Sequence, residues 1–321
     1  MMQRSYWVHA LSAIHLGSGT GVDVIDLPVL RDVVKNWPIL PGSSLKGVMS
    51  ANFGADDEKA RCDESKLSAA FGLGGNDHAS AGALVFSDAR LVCFPVQSLY
   101  GTFAWITCPL ALRLLDRDLG RIGGKTIGAI PEPEKTKGLC PQLPEGQKSA
   151  LVCGDPATVF LGELDVPVTP DAAVTPFAKY MAQQVFSESA DAESWTMLFE
   201  ERFLVVDDEI FTFFTETSCE VNARIRIHPD TGVVATGALW YEESVPAEAI
   251  FMGTVWCDWI AKKHRDKQVT ADLLFTEFCT NPLTLQIGGK ASTGKGMARV
   301  SFCAATPEAQ RQGGEAGEEG K

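Results

Sequence analysis

Residues 4–16 alternate so that Trp7, His9, Leu11, Ala13 and His15 share one side of an extended chain and Tyr6, Val8, Ala10, Ile14 and Leu16 share the other. A period of two marks a β-strand, and apolar residues on both sides predict a central one. A glycine turn over 17–21 and an extended segment over 23–30 follow as a hairpin-like pair. Pro41 and Gly42 end the extended chain, and Leu45, Val48, Met49 and Phe53 recur at helical spacing. They predict a helix over about 43–53, with Ser43 or Ser44 as its cap. Residues 82–112, rich in Val, Phe, Leu, Ile and Thr, predict two or three strands.

The pattern fades over 116–158, where Gly, Pro and mixed charge predict an insertion or long loop. Helical periodicity returns at 176–187, 192–200 and 207–218. Two alternating runs between Glu220 and Glu243 flank His228-Pro229-Asp230-Thr231-Gly232 and predict a long hairpin. Residues 258–280 look helical, and 283–287 with 297–302 form a last hairpin around a glycine-rich loop. No internal repeat is present. The simplest organisation is one α+β domain over 1–305, its sheet covered by helices on one face, with the 116–158 insertion and a protruding hairpin at 220–245. The charged segment 306–321 predicts a disordered acidic tail.

At 321 residues and 45% hydrophobic content, the chain can bury a full core. No apolar run is long enough for a membrane span, and the start alternates like a strand instead of resembling a signal peptide, so a cytoplasmic protein is expected. Nine cysteines without any C-x-x-C pair predict reduced thiols, not a disulfide framework or zinc site. The formal net charge of −13 taken alone argues against RNA. Its distribution changes that picture. The acidic excess lies in 56–64, 186–201, 207–220 and the tail, whereas the glycine-rich segments carry Lys46, Lys290, Lys295 and Arg299. A basic groove on an acidic body is therefore permitted.

Several segments carry candidate chemistry. Ser43, Ser44 and Lys46 at a helix start offer backbone N–H groups, hydroxyls and a cation, an anion site for which phosphate is the natural ligand. Gly288-Gly289-Lys290-Ala291-Ser292-Thr293-Gly294-Lys295-Gly296 contains G-x-x-x-x-G-K. It is not a P-loop, because Gly296 stands where the Mg²⁺-binding hydroxyl is needed and a strand, not a helix, follows. A plain turn needs only one or two glycines; four of them with two lysines and two hydroxyls predict a nest of N–H groups against a polyanion. Asp26, within Val24-Ile25-Asp26-Leu27-Pro28, is a carboxylate among apolar residues and needs a partner or a purpose. A salt bridge to Arg31 is one reading and a functional carboxylate the other, with Asp23 as a local rival. His15 is either a satisfied polar residue or an acid–base group. Glu242 beside Glu243 reads as solvated charge. Arg224 and Arg226 share one strand face suited to phosphate, while Val221, Ile225 and Ile227 on the opposite parity are expected to pack.

The helix start Ile39-Leu40-Pro41-Gly42-Ser43-Ser44-Leu45-Lys46-Gly47 and the glycine-rich loop together resemble the RAMP superfamily of CRISPR proteins. Ser87-Asp88-Ala89-Arg90-Leu91, Gly101-Thr102-Phe103-Ala104-Trp105, Arg224-Ile225-Arg226-Ile227 and Ala238-Leu239-Trp240-Tyr241-Glu242-Glu243 extend the resemblance to the repeated backbone subunits of type III-B (Cmr) effector complexes, over nearly all of residues 4–303. The resemblance implies a ferredoxin-like, RRM-related RAMP core with an insertion and a β-hairpin thumb at 220–245. It implies a guide CRISPR RNA held by Ser43, Ser44, Lys46, Arg224, Arg226, Gly289, Lys290, Ser292, Thr293 and Lys295. It further implies a metal-dependent endoribonuclease that cuts paired target RNA at regular intervals, with Mg²⁺ or another divalent cation. Asp26 would be the catalytic residue and metal ligand, His15 and Glu242 its neighbours. The implied partners are guide RNA, target RNA, further copies of the chain and other subunits of the complex. A non-catalytic filament subunit and a stand-alone guide-processing nuclease are the alternatives.

Overall fold

The computed structural model describes residues 2–19, 25–54, 65–73, 80–187, 189–228, 230 and 232–304. The first half of the chain forms β1 (Gln3–Ala10), β2 (Ile39–Leu40), α1 (Gly42–Asn52), α2 (Lys66–Phe71), β3 (Gly72–Leu73), β4 (Ser80–Ala81), β5 (Leu84–Phe86), β6 (Ala89–Gln97), β7 (Phe103–Thr107) and α3 (Pro109–Arg121). There follow β8 (Gly138–Pro141), β9 (Thr158–Leu161), β10 (Leu164–Asp171), α4 (Val174–Phe186), α5 (Ala192–Arg202), β11 (Phe203–Val206) and α6 (Asp208–Thr217). The last third contains β12 (Glu220–Ile227), β13 (Val234–Ser244), β14 (Ile250–Cys257), α7 (Lys262–Arg265), α8 (Ala271–Phe278), β15 (Leu283–Gln286) and β16 (Met297–Ala304).

Among the described residues twelve strands make one mixed sheet in the order β15, β16, β1, β14, β6, β7, β11, β8, β10, β9, with β2 on β6 and β5 on β14. β1 is central, antiparallel to β14 on one side and β16 on the other. Its alternation sorts the core. Tyr6 and Val8 join Phe251 on one face, under Leu45 and Met49 of α1, Phe211 and Phe214 of α6, and Phe275 and Phe278 of α8. Trp7 lies on the other face with Trp105 and Phe203, under Leu115 of α3, Phe177 and Met181 of α4, and Phe199 of α5. Helices thus cover both faces, not one. A strand that is apolar on both sides needs a layer on each.

Other expectations need correction too. β1 stops at Ala10, because the N–H groups of Leu11 and Ser12 both turn onto the Met297 carbonyl, at 2.8 and 3.1 Å. Residues 14–17 and 25–31 then pair through isolated bridges, not as strands. Within 116–158, residues 116–121 complete α3, and β8 belongs to the main sheet, antiparallel to β11 and parallel to β10. Residues 258–280 hold two short helices instead of one. Asp23, Cys62, the acidic run 56–64 and the tail 306–321 lie outside the described residues. The eight described cysteines carry free thiols, and burial pushes that of Cys219 up to about 12. No described helix is long and apolar enough to cross a membrane.

Candidate functional site

Beyond the bend at Leu11, four segments distant in sequence lace together. Ile14 bridges Val245, His15 bridges Gly289, Gly17 bridges Val29, and Leu27 runs parallel to Glu242. The Gly289 N–H donates to the His15 carbonyl at 2.9 Å, and the Leu27 N–H to Tyr241 at 3.1 Å. Gly288 is a glycine by necessity: its φ is +81°, and a Cβ there would overlap the His15 carbonyl. The junction therefore unites the first strand's extension, the Asp26 segment, the base of the β12–β13 hairpin and the glycine-rich loop.

Among the described carboxylates there, Asp26, Glu243 and Glu242 take different roles. Asp26 is exposed, not buried among its apolar neighbours, and its Oδ2 accepts the Tyr241 N–H at 2.8 Å. Arg31 is not its partner. That guanidinium pairs with Glu243 and donates to the Asn36 and Thr215 carbonyls, each at 2.9 Å. Glu243 is buried and also accepts the Val29 N–H at 2.9 Å. Glu242, equally buried, accepts from Lys290 Nζ at 2.7 Å, Trp240 Nε1 at 2.8 Å and Arg224 Nε at 3.3 Å. Burial alone would raise the Glu242 pKa, but the bonds from Lys290, Trp240 and Arg224 outweigh it and hold the carboxyl at about 2. Neither glutamate is solvated charge. With both oxygens bonded and ionised at every ordinary pH, Glu242 is a clamp between hairpin and loop and a poor proton acceptor.

His15 is buried, with Nδ1 2.6 Å from the Glu243 carbonyl. A carbonyl only accepts, so Nδ1 carries the proton and, in the neutral ring, Nε2 carries the lone pair. The absent side chain of Gly17 leaves room beside Nε2, which lies 3.2 Å from the position of a Cβ there.

The glycine-rich loop is strand, loop, strand as its flanks predict, with Lys290 at φ 66° and a short 3₁₀ turn over Ala291–Thr293. Gly289, Ser292 and Thr293 are exposed. The lysines are less open than the polyanion reading requires: Lys290 is tied to Glu242, and buried Lys295 donates to Ser244 Oγ at 2.7 Å, with Glu220 3.6 Å away.

At α1 the cap is Pro41, without a side-chain bond, and Ser43 and Ser44 lie in the first turn instead of capping it. The Gly42 N–H donates to Asp88 Oδ1 at 2.9 Å, so an internal carboxylate already sits at this helix start. Lys46 turns inward, donating to the Leu84 carbonyl at 2.7 Å, and burial lowers its pKa. On the hairpin, Arg224 reaches Glu242 while Arg226 is exposed. Val221, Ile225 and Ile227 do not pack; they are 51%, 50% and 57% exposed. The loop closes on the opposite face, at Glu242 and Ser244, and the Val221 face is covered at its base, where Glu243 is buried. Sequence reasoning missed Asp88, Ser244 and the Arg31–Glu243 pair. Strand parity was the available signal for the last, since adjacent glutamates on a strand point to opposite sides and need separate partners.

A family model described as the RAMP superfamily matches residues 7–299. This chain belongs to the RAMP superfamily. Within it, this RAMP protein is 31% identical over 299 residues to the CRISPR system Cmr endoribonuclease Cmr4 of Pyrococcus furiosus, across 92% of this chain and 94% of that one. The CRISPR system CMR subunit Cmr4 of Saccharolobus solfataricus is 25% identical over 315 residues, across 93% and 96% of the two chains. The crystal structure of oligomeric Cmr4 from Pyrococcus furiosus superposes with a TM-score of 0.71 at 26% identity, covering 95% of this RAMP chain and all of that one. The α+β architecture with its large mixed sheet is thus that of the Cmr4 members of the superfamily.

Proposed function

We propose that this RAMP protein is the RNA-binding backbone subunit of a type III-B CRISPR effector complex and cleaves paired target RNA at regular intervals. It assembles with further copies of itself and with other subunits along a guide CRISPR RNA, and the β12–β13 hairpin is its thumb. The reading carries with it a cytoplasmic location. It is supported by the similarity to a Cmr endoribonuclease and to an oligomeric Cmr4. The observation that carries the catalytic part is exposure: among the described carboxylates at the junction, Glu242 and Glu243 are buried and Glu220 lies 3.6 Å from Lys295, whereas Asp26 faces solvent and accepts a neutral backbone N–H.

Among the described residues no three His, Cys, Asp or Glu side chains are grouped to hold a metal ion. One open carboxylate nonetheless fits Mg²⁺, which keeps several waters and takes one or two protein carboxylates together with substrate phosphate oxygens. Asp26 would hold such an ion, which supplies charge stabilisation at the scissile phosphate. The chain's own contribution is positional. Tyr241 N–H fixes the Asp26 carboxylate at the hairpin base, and the Glu243 carbonyl fixes the His15 ring with Nε2 as its proton acceptor.

Asp26→Asn tests the assignment, because the amide oxygen still accepts the Tyr241 N–H while the charge is lost. Assembly and target binding should persist, and cleavage should fall by roughly 10²–10⁴. Wild-type cleavage by the variant would sink the catalytic role. The bond from Tyr241 is the observation that favours the rival, a non-catalytic filament subunit in which Asp26 only braces the hairpin; wild-type complexes that bind target without cutting it would establish that rival. Chelation separates the two chemistries open to Asp26: activity lost and restored by Mg²⁺ assigns it to the ion, and activity that survives assigns it to proton transfer.

A further inference from the structure

The cations of this acidic chain gather at a second place. Lys262, Lys263, Arg265 and Lys267 fall within six residues of a protein whose formal net charge is −13. Burial fixes how they face. His264 is 2% exposed and Ile260 packs against the core, so α7 is pinned by its middle, and Lys262, Arg265 and Lys267 are exposed. Just before the helix, Trp259 is 63% exposed. The segment leaves β14 where the Cys257 N–H meets the Met2 carbonyl and the Asp258 N–H meets Ala83. Along the β1–β14 pair, Gln3 lies opposite Trp256 and His9 opposite Ile250. Six residues of strand, about 20 Å at 3.3 Å per residue, therefore separate this patch from the end that leads to Asp26.

A mostly exposed indole leaves a large apolar surface in water that no interior contact accounts for. Beside it, three of the four cations are lysines, a residue depleted at protein–protein interfaces. Exposed ammonium and guanidinium groups three and six residues along the chain from an exposed indole, outnumbering Asp258 and Asp266 in the same segment, are instead the components of a single-stranded nucleic-acid site, in which cations track phosphates and the ring stacks a base of any identity.

We propose that Trp259, Lys262 and Arg265 form a second contact for single-stranded RNA, at the opposite end of the central strands from Asp26. The indole stacks one unpaired base and the two cations meet neighbouring phosphates, so the site reads no sequence. The proposal rests on the RNA-binding reading above and adds to it a place where unpaired RNA leaves or enters the subunit.

The test uses the purified full chain and a labelled single-stranded RNA of mixed sequence, titrated over a range of salt. Trp259→Ala should weaken binding about fivefold or more, and Trp259→Phe, which keeps a stacking ring, should bind close to wild type. Lys262→Ala with Arg265→Ala should lower the slope of log affinity against log salt by about 1.4, from about 0.7 per phosphate contact on a single strand. All the side chains are exposed, so thermal melting should not move. Guide-loaded assemblies distinguish the sources of the strand: a loss at guide loading assigns the patch to guide RNA, and a loss only on adding complementary RNA assigns it to target. Either result supports the proposal. Variants that bind RNA as the wild type does but change the oligomeric mass would assign the patch to a protein partner and overturn it. A wild-type chain that binds no RNA at all would overturn the functional reading itself.

Discussion

Glu242 and Glu243 are neighbours in sequence and strangers in structure, one clamped to Lys290 and Arg224, the other to Arg31. Their energetics differ in a way that can be measured. Glu242 is held at about 2 against an ordinary value of 4.5, so the folded state binds fewer protons than the unfolded one as acid is added. Its contribution to stability is complete above about 4.5 and is lost as pH falls towards 2. Glu242→Gln should flatten the decline of the unfolding midpoint over that window, and unchanged acid sensitivity would contradict the clamp. Arg31→Ala should cost about 3 kcal/mol by denaturant unfolding, because it leaves the buried Glu243 charge without its cation. Asp26→Asn, at an exposed carboxylate with one neutral donor, should cost far less. This contrast separates the two clamped carboxylates from the exposed one.

Elements were easier to foresee than their seating. The helix near residue 43, the strands of 82–112, the helices at 176–187, 192–200 and 207–218 and both hairpins follow from periodicity, and all are present within a few residues. Which face of an element is covered does not follow, because parity divides residues into two sets without saying which set meets a neighbour. The β12–β13 hairpin shows the cost of that gap. Its polar set, with Arg224 and Glu242, closes onto the glycine-rich loop, while Ile225 and Leu239, paired across the hairpin, stay 50% and 56% exposed. Replacing either with Thr should shift chain stability by no more than about 0.5 kcal/mol, whereas core packing would have made it several-fold larger. At α1 the decisive contact is backbone. A Cβ at position 42 would overlap the Phe86 and Ser87 carbonyls, so Gly42→Ala should displace the helix start and cost about 1–3 kcal/mol in a melt, despite alanine's better helix propensity.

At the scale of the molecule, the sheet joins the ends of the described chain, with β16 beside β1, and the junction forms where β1 gives way to bridges. Long-range pairing of this kind leaves no local trace, which is why Asp88 at Gly42 and Ser244 at Lys295 could not be read from spacing. The glycine-rich loop could be read, because its glycines answer to local backbone demands such as the positive φ at Gly288, Gly294 and Gly296. The partners of its lysines alter what RNA would meet there. Glu242 takes, beside Lys290, the place that a phosphate would occupy in the proposed RNA site, and Asp88 does the same at the start of α1. A strand binding there would trade places with a resident anion, whose displacement offsets part of the gain from neutralising the phosphate. Lys290→Ala should therefore change the salt slope of RNA binding by clearly less than the roughly 0.7 of an unencumbered contact. An isolated anion would gain little from such an exchange, while a polymer engaging several points at once would offset the displacement, so in the proposed site the resident carboxylates would serve as placeholders against stray ligands.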